Sequence, residues 1–105
     1  MARQFDVVEN RDRTGRSLYP YLLVLQHDHA DTVQSVIVAP IVRRNQAPTS
    51  RERLHFSFEI DSGAYVVIIE DLASVPRNQI GRVAGSLGER RYEITRALDM
   101  LFTGI

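Results

Sequence analysis

Apolar and polar residues roughly alternate from Gln4 to Val8, and the polar stretch 10–17 that follows holds a turn glycine, Gly15. That pattern predicts a short strand and then a loop. Leu18 to Leu25 is a nearly continuous apolar run of strand length, with Pro20 near its start, where a missing backbone donor is tolerated. Val36 to Val42 is apolar and β-branched with Pro40 inside it, which predicts a strand that ends or bulges at the proline. Residues 43–53 show no apolar period and read as loop. Leu54, Phe56, Phe58 and Ile60 then alternate with His55, Ser57 and Glu59, the two-residue period of a strand with one buried face. His55 is accordingly expected at an exposed or edge position rather than as a base. Asp61-Ser62-Gly63 is a turn and residues 64–69 return as a strand, so a hairpin is the simplest pairing.

Beyond Asp71 the segment to Gly81 is rich in turn residues and reads as a bridge to the chain's one convincing helix. Ser86-Leu87-Gly88-Glu89 has the form of a capping box, in which the serine oxygen takes an orphan amide and the glutamate reaches back. Leu87, Ile94, Leu98 and Leu101 fall on one face of a 3.6-residue period, and Glu93 and Arg96 are spaced to pair weakly. Gly104 ends the helix where a left-handed cap belongs. The expectation is a mainly β fold of about five antiparallel strands, a small barrel or folded sheet, with a terminal α-helix at about 86–102 and no βαβ alternation.

A length of 105 residues fits a single domain, 1–105, and hydrophobic and charged contents of 44% and 25% are those of a globular chain. Thirteen basic and thirteen acidic side chains sum to zero, which argues against a general binder of polyanions. All thirteen basic residues are arginine. With no cysteine there are no disulfides, thiolate metal sites or thiol nucleophiles, and the charged N-terminus and the lack of a long apolar run point to a soluble cytoplasmic protein.

Candidate chemistry is sparse. His27-Asp28-His29 with Asp31 offers imidazole and carboxylate ligands, but nothing except the isolated His55 stands ready to complete a metal site, so the segment reads as a solvated loop and no metal or cofactor is expected. Gly-x-Ser-x-Gly, P-loop and Gly-x-Gly-x-x-Gly patterns are absent. Arg11, Arg13 and Arg16 form one local basic cluster, and Arg43, Arg44, Arg51 and Arg53 another; they suit phosphate, an acidic protein, or plain solvation. Phe102 and Ile105 are apolar at a chain end that ordinarily frays, so they either pack on the chain's own sheet or dock on another protein, with Gly104 permitting close approach.

Asp71-Leu-Ala-Ser-Val-Pro76, Ile80-Gly81, Leu87, Arg90 and the closing stretch from Ile94 to Phe102-Thr-Gly-Ile105 resemble the CcdB family, the toxin half of plasmid and chromosomal toxin–antitoxin pairs. Gln4-Phe5, Gln26, Asp28, Asp31-Thr32, Val38 and Pro40 fall in the same order, so the resemblance spans essentially the whole chain. It implies an SH3-like barrel with a long C-terminal helix, a homodimer, and a non-enzymatic poison that grips the gyrase A subunit through paired terminal helices and traps its cleaved DNA complex. The gyrase contacts it implies are Gly88, Arg91, Tyr92, Thr95, Asp99, Phe102, Thr103, Gly104 and Ile105. Of these, Phe102, Gly104 and Ile105 keep the residue types of the best-known members, while Thr103 replaces a tryptophan and Asp99 an asparagine. The resemblance further implies a small antitoxin with an acidic, disordered segment, for which Arg11, Arg13, Arg16, Arg43 and Arg44 provide counter-charge. Two alternatives stand beside this reading: an endoribonuclease toxin on the same barrel, and an antitoxin-binding module without toxicity.

Overall fold

The structure, a computed structural model, describes residues 2–28, 34–48 and 54–104. Along the chain these form β1 (Asp6–Asn10), β2 (Tyr21–Val24), β3 (Ser35–Arg43), β4 (His55–Ile60), β5 (Gly63–Ile68), β6 (Ala73–Pro76), β7 (Ile80–Ser86) and α1 (Arg91–Thr103). Every pairing is antiparallel, in the order β4-β5-β3-β2-β1-β7, with β6 also on β3. The outer strands of this path approach each other: a Cβ built on Gly85 of β7 would lie 2.8 Å from Ile60 Cδ1 of β4. The result is the expected mainly antiparallel β half-barrel with one C-terminal helix.

The long apolar runs are strands buried on both faces. Val7 and Leu23 join Ala39, Ile41 and Val67 in the main core, while their neighbours Val8, Leu22, Val24, Val36 and Val38 build a second cluster on the opposite face. A third cluster of Val42, Val66 and Ile68 covers that face further along. Alternation in β2 and most of β3 therefore sorts side chains between two apolar layers rather than between core and water.

Pro40 does not end β3. The strand runs through it, because Pro40 sits where β3 changes partner, from β6, paired through Val38, to β5, paired from Ile41. The missing N–H falls where the ladder on that side is interrupted. Between β4 and β5, Asp61 and Ser62 both take positive φ (48° and 67°), the backbone of a two-residue hairpin turn.

Three further expectations need correction. The bridge after Asp71 contains two further strands, β6 and β7, missed because they are short or glycine-bearing and mostly exposed or half-buried. His55 is buried, not exposed: the face it shares with Ile68 is covered at this end of the sheet, and its Nε2 lies 2.8 Å from Glu70 Oε2. The helix starts at Arg91, not at about 86. Ser86 Oγ accepts the Gly88 N–H at 3.1 Å and a 3-10 turn occupies Gly88–Arg90, so the reciprocal capping box does not form.

α1 lies on the main core through Ile94 and Ala97, with Leu98 and Leu101 packed at its edge. Phe5 fixes its position. The residue is 1% exposed and has φ 69°, its N–H donates to Val24 O at 2.6 Å, and its carbonyl accepts from Leu87 N at 2.8 Å. Truncation at Phe5→Ala opens a cavity under the helix and is expected to cost about 3–5 kcal/mol, read as a shift of the urea midpoint.

Candidate functional site

The apolar stripe that seats α1 leaves the opposite face to solvent. Tyr92, Thr95, Asp99 and Phe102 follow each other at three- and four-residue steps, with Thr103 and Gly104 continuing the face, opposite Ile94, Ala97 and Leu101. Tyr92 is 71% and Phe102 70% exposed, so Phe102 does not pack on the chain's own sheet. These two aromatic rings are the largest apolar exposure on the helix.

Local bonds fix the polar members of this face. Thr95 Oγ1 donates to the carbonyls of Arg91 (3.0 Å) and Tyr92 (3.1 Å), and Thr103 Oγ1 donates to Asp99 O at 2.6 Å. Gly104 takes φ 76° and its N–H returns to Met100 O, a left-handed cap. A Cβ there would meet nothing within 4 Å, so this position needs glycine for its backbone conformation rather than for space.

The arginines around the helix have distinct duties. Arg91 lays its guanidinium over the Phe5 ring at 4.9 Å, which turns a residue expected at the docking face toward the core. Arg96 sits 5.5 Å over the Tyr92 ring. Arg90 donates from Nε and Nη2 to the two Glu93 carboxylate oxygens at 2.7 Å and from Nη1 to Ser57 O at 2.6 Å, tying the helix start to β4. The pairing expected for Glu93 with Arg96 is therefore replaced by Glu93 with Arg90, whose planar fork reaches both oxygens. Gly88 stands ahead of α1 in the 3-10 turn, and Ile105 lies outside the described residues.

The two arginine loops meet in space: Arg43 Nη1 donates to Ser17 O at 3.3 Å, joining the loop of Arg11, Arg13 and Arg16 to the end of β3. All five of Arg11, Arg13, Arg16, Arg43 and Arg44 are exposed. Arg51, Arg53, His29 and Asp31 lie outside the described residues. Among the described residues no group of three His, Cys, Asp or Glu side chains is placed to hold a metal, and no helix is long and apolar enough to cross a membrane.

Two features had no sequence signal. His55 and Glu70 pair across 15 residues, with Glu70 Oε1 buried and unbonded. A cleft of about 370 Å³ gathers Arg3, His27, Asp28 and Arg77 over Val24 and Val36. Its members come from four separate segments, so no local spacing could reveal it.

Solved structures similar to this half-barrel include an endoribonuclease and two toxins. An endoribonuclease in complex with its cognate antitoxin, from a mycobacterial species, superposes with a TM-score of 0.74 at 10% identity, over 96% of this chain and 94% of that one. The Mycobacterium tuberculosis toxin MazF-mt6 gives 0.73 at 16% identity over 92% and 95%. A further Mtb toxin gives 0.68 at 19% identity over 91% and 99%. At these identities the likeness is one of fold. The family model of the CcdB protein matches residues 4–104, and the chain belongs to the CcdB family of toxins. None of the curated proteins matches the sequence.

The fold likeness corrects one expectation. The chain was expected not to be an enzyme, for want of a catalytic motif and by its resemblance. Its half-barrel is shared over more than nine-tenths of the chain with a protein described as an endoribonuclease, so the exclusion of enzymatic activity does not stand.

The Arg90 hydrogen bonds pull the Glu93 carboxyl below the usual glutamate range and push Arg90 up. Because the folded carboxyl titrates lower than in the unfolded chain, the pair's contribution is complete above the ordinary glutamate range and is lost as pH falls through Glu93's lowered value. Both side chains are partly exposed, so Glu93→Gln is expected to cost only about 0.5 kcal/mol near neutrality. Urea titrations of the two proteins should converge on acidification.

Proposed function

We propose that the chain is the toxin of a type II toxin–antitoxin pair that binds the A subunit of DNA gyrase through the solvent face and tail of α1, traps the gyrase–DNA cleavage complex and blocks replication. The observation that carries this reading is the line of exposed Tyr92, Asp99 and Phe102 with the half-buried Thr95 between them, held away from the stripe that seats the helix. An aromatic ring that is largely exposed in the free protein gains most when a partner covers it. Tyr92 and Phe102 provide two such anchors, and Asp99 between them offers a carboxylate to a gyrase arginine, a charge-assisted contact that compensates for the aromatic ring Thr103 lacks. As a homodimer the protein would present two of these faces to a two-fold symmetric target.

Neutralisation falls to an acidic CcdA-like antitoxin. The exposed arginines of the two joined loops, Arg11, Arg13 and Arg16 with Arg43 and Arg44, supply the counter-charge for a flexible acidic segment. The mycobacterial endoribonuclease of the same fold was solved with its own antitoxin, which supports an antitoxin partner in this architecture.

A cleavage assay with purified gyrase and supercoiled plasmid tests the first statement. Wild-type protein should accumulate cleaved DNA, and Phe102→Ala should need at least about tenfold more protein for the same effect while its unfolding free energy in urea stays within about 0.5 kcal/mol of wild type. Cleavage of messenger RNA by the same preparation, with gyrase unaffected, would assign the toxin to RNA instead. For the antitoxin, the triple reversal Arg11→Glu, Arg13→Glu and Arg16→Glu should weaken binding by about tenfold or more at low salt and by less at high salt, measured by titration calorimetry.

A further inference from the structure

The start of α1 is attached to the sheet by two contacts that reach different strands. On one side the Phe5 carbonyl, just ahead of β1, accepts the Leu87 N–H. On the other, Arg90 Nη1 donates to Ser57 O of β4 at 2.6 Å, and the guanidinium lies 5.0 Å over the Phe56 ring of the same strand. β4 stands at one end of the strand order and β1 with β7 at the other, so the two attachments hold the helix start from opposite ends of the strand path. Within the helix, the Glu93 carboxylate takes Arg90 Nε and Nη2 at 2.7 Å each, which fixes the plane of the fork. All three guanidinium nitrogens are thus engaged, and the residue is a strut between helix and sheet.

That commitment is large for what it adds to folding. Arg90 and Glu93 keep 32% and 49% of their side-chain surface in solvent, and a pair so exposed contributes little stability. Its effect is geometric. The two fully packed residues of α1, Ile94 and Ala97, fall in its first half, and only the half-buried Leu98 and Leu101 lie beneath the rest. The end that carries Asp99 and Phe102 is therefore a lever. Phe102 stands about 17 Å along the axis from Arg91, so a swing of about 10° at the start moves its ring by about 3 Å. We propose that Arg90 is a positioning residue for partner binding: its link from Glu93 to Ser57 and Phe56 sets the direction of α1 and so places Tyr92, Asp99 and Phe102 for the gyrase A subunit. This inference rests on the gyrase reading above. The Arg90 side chain is turned to β4, so it acts through the helix rather than by touching the partner. A lysine there keeps the charge but lacks the planar fork that joins both carboxylate oxygens to a third acceptor.

Cleavage assays with purified gyrase on Arg90→Met and Arg90→Lys, alongside urea titrations, test the assignment. Each variant should need about tenfold more protein than wild type to accumulate the same cleaved DNA, with its urea midpoint little changed. In the Phe102→Ala background the same substitutions should cost no more than about twofold, because a ring that is absent cannot be misplaced. The chain has no cysteine, so spin labels at Glu9→Cys on β1 and Thr103→Cys on α1, both exposed positions, report the direction of the helix in the free protein. Their separation should be narrowly distributed with Arg90 in place and should shift or broaden by about 3 Å in both variants. Wild-type protein that leaves gyrase unaffected refutes the gyrase reading, and the label separation then decides alone whether Arg90 directs the helix. If Arg90→Met does not fold, Arg90→Lys, which keeps the stem and the charge, carries the test. Full potency of Arg90→Lys on gyrase, equal losses with and without Phe102, or an unchanged label separation overturns the proposal.

Discussion

The orientation of the helix, and with it the face that α1 turns to solvent, depends on Phe5. Its N–H and carbonyl bridge Val24 and Leu87, so one residue links the end of β2 to the segment that launches α1. Both bonds require the carbonyl and amide to point to opposite sides of a sharp turn, and the chain adopts φ 69° to do so, at a cost of order 1–3 kcal/mol for a residue other than glycine. Burial of the ring, worth about 1.5–3 kcal/mol, offsets that strain, and the Arg91 guanidinium closes over its face. Once Leu87 is fixed, Ile94 and Ala97 can reach the core only if Tyr92, Asp99 and Phe102 face water. The outward face is a geometric consequence of the inward one.

The strands that carried strong patterns in the sequence are those whose burial is decided by their own side chains. Residues 36–42 and 64–69 were legible because β3 and β5 lie in the middle of the sheet and must be apolar on both faces. β6 was not legible because Ala73, Ser74 and Pro76 are exposed and its place is set by pairing with β3 rather than by burial. β7 likewise depends on what it lies against. Gly81 keeps its strand close to β1, where a Cβ would come within 2.7 Å of Glu9 O, and such a constraint leaves glycine in the sequence, which locally reads as a turn. His55 shows the same limit from the other side. Its position in an alternating run implied water, but a third apolar cluster covers that face, and Glu70 meets the imbalance.

The helical stripe of the candidate site was visible as spacing, and so was its closure at Gly104. What the sequence left open was whether Phe102 also packs: it is as apolar as Leu101, and its place around the axis leaves it exposed where Leu101 is half-buried. Pairing along the helix was equally open. Glu93 has arginines at both three residues before and three after, and the choice of Arg90 is made by Ser57, whose carbonyl holds the same guanidinium in place. The cleft under Arg3 and Arg77 was invisible because it is assembled entirely by topology.

The zero net charge acquires a spatial meaning. Residues 1–53 hold eight arginines and six acids, whereas 54–72 hold four acids and no arginine, and 73–105 hold five arginines and three acids. On α1 the balance is finer still. Arg90 is committed to Glu93 and Ser57, and Arg91 to Phe5, which leaves Arg96 and Asp99 as the charges on the outward face, with Arg96 already stacked on Tyr92. Thr103 spends its hydroxyl on the helix carbonyl of Asp99 and brings no directional group to that face. A partner arginine approaching Tyr92 must therefore displace Arg96, whereas one approaching Asp99 meets an exposed carboxylate. The carboxylate open on the outward face thus stands towards the middle of the helix, between Tyr92 and Phe102, rather than at its tail.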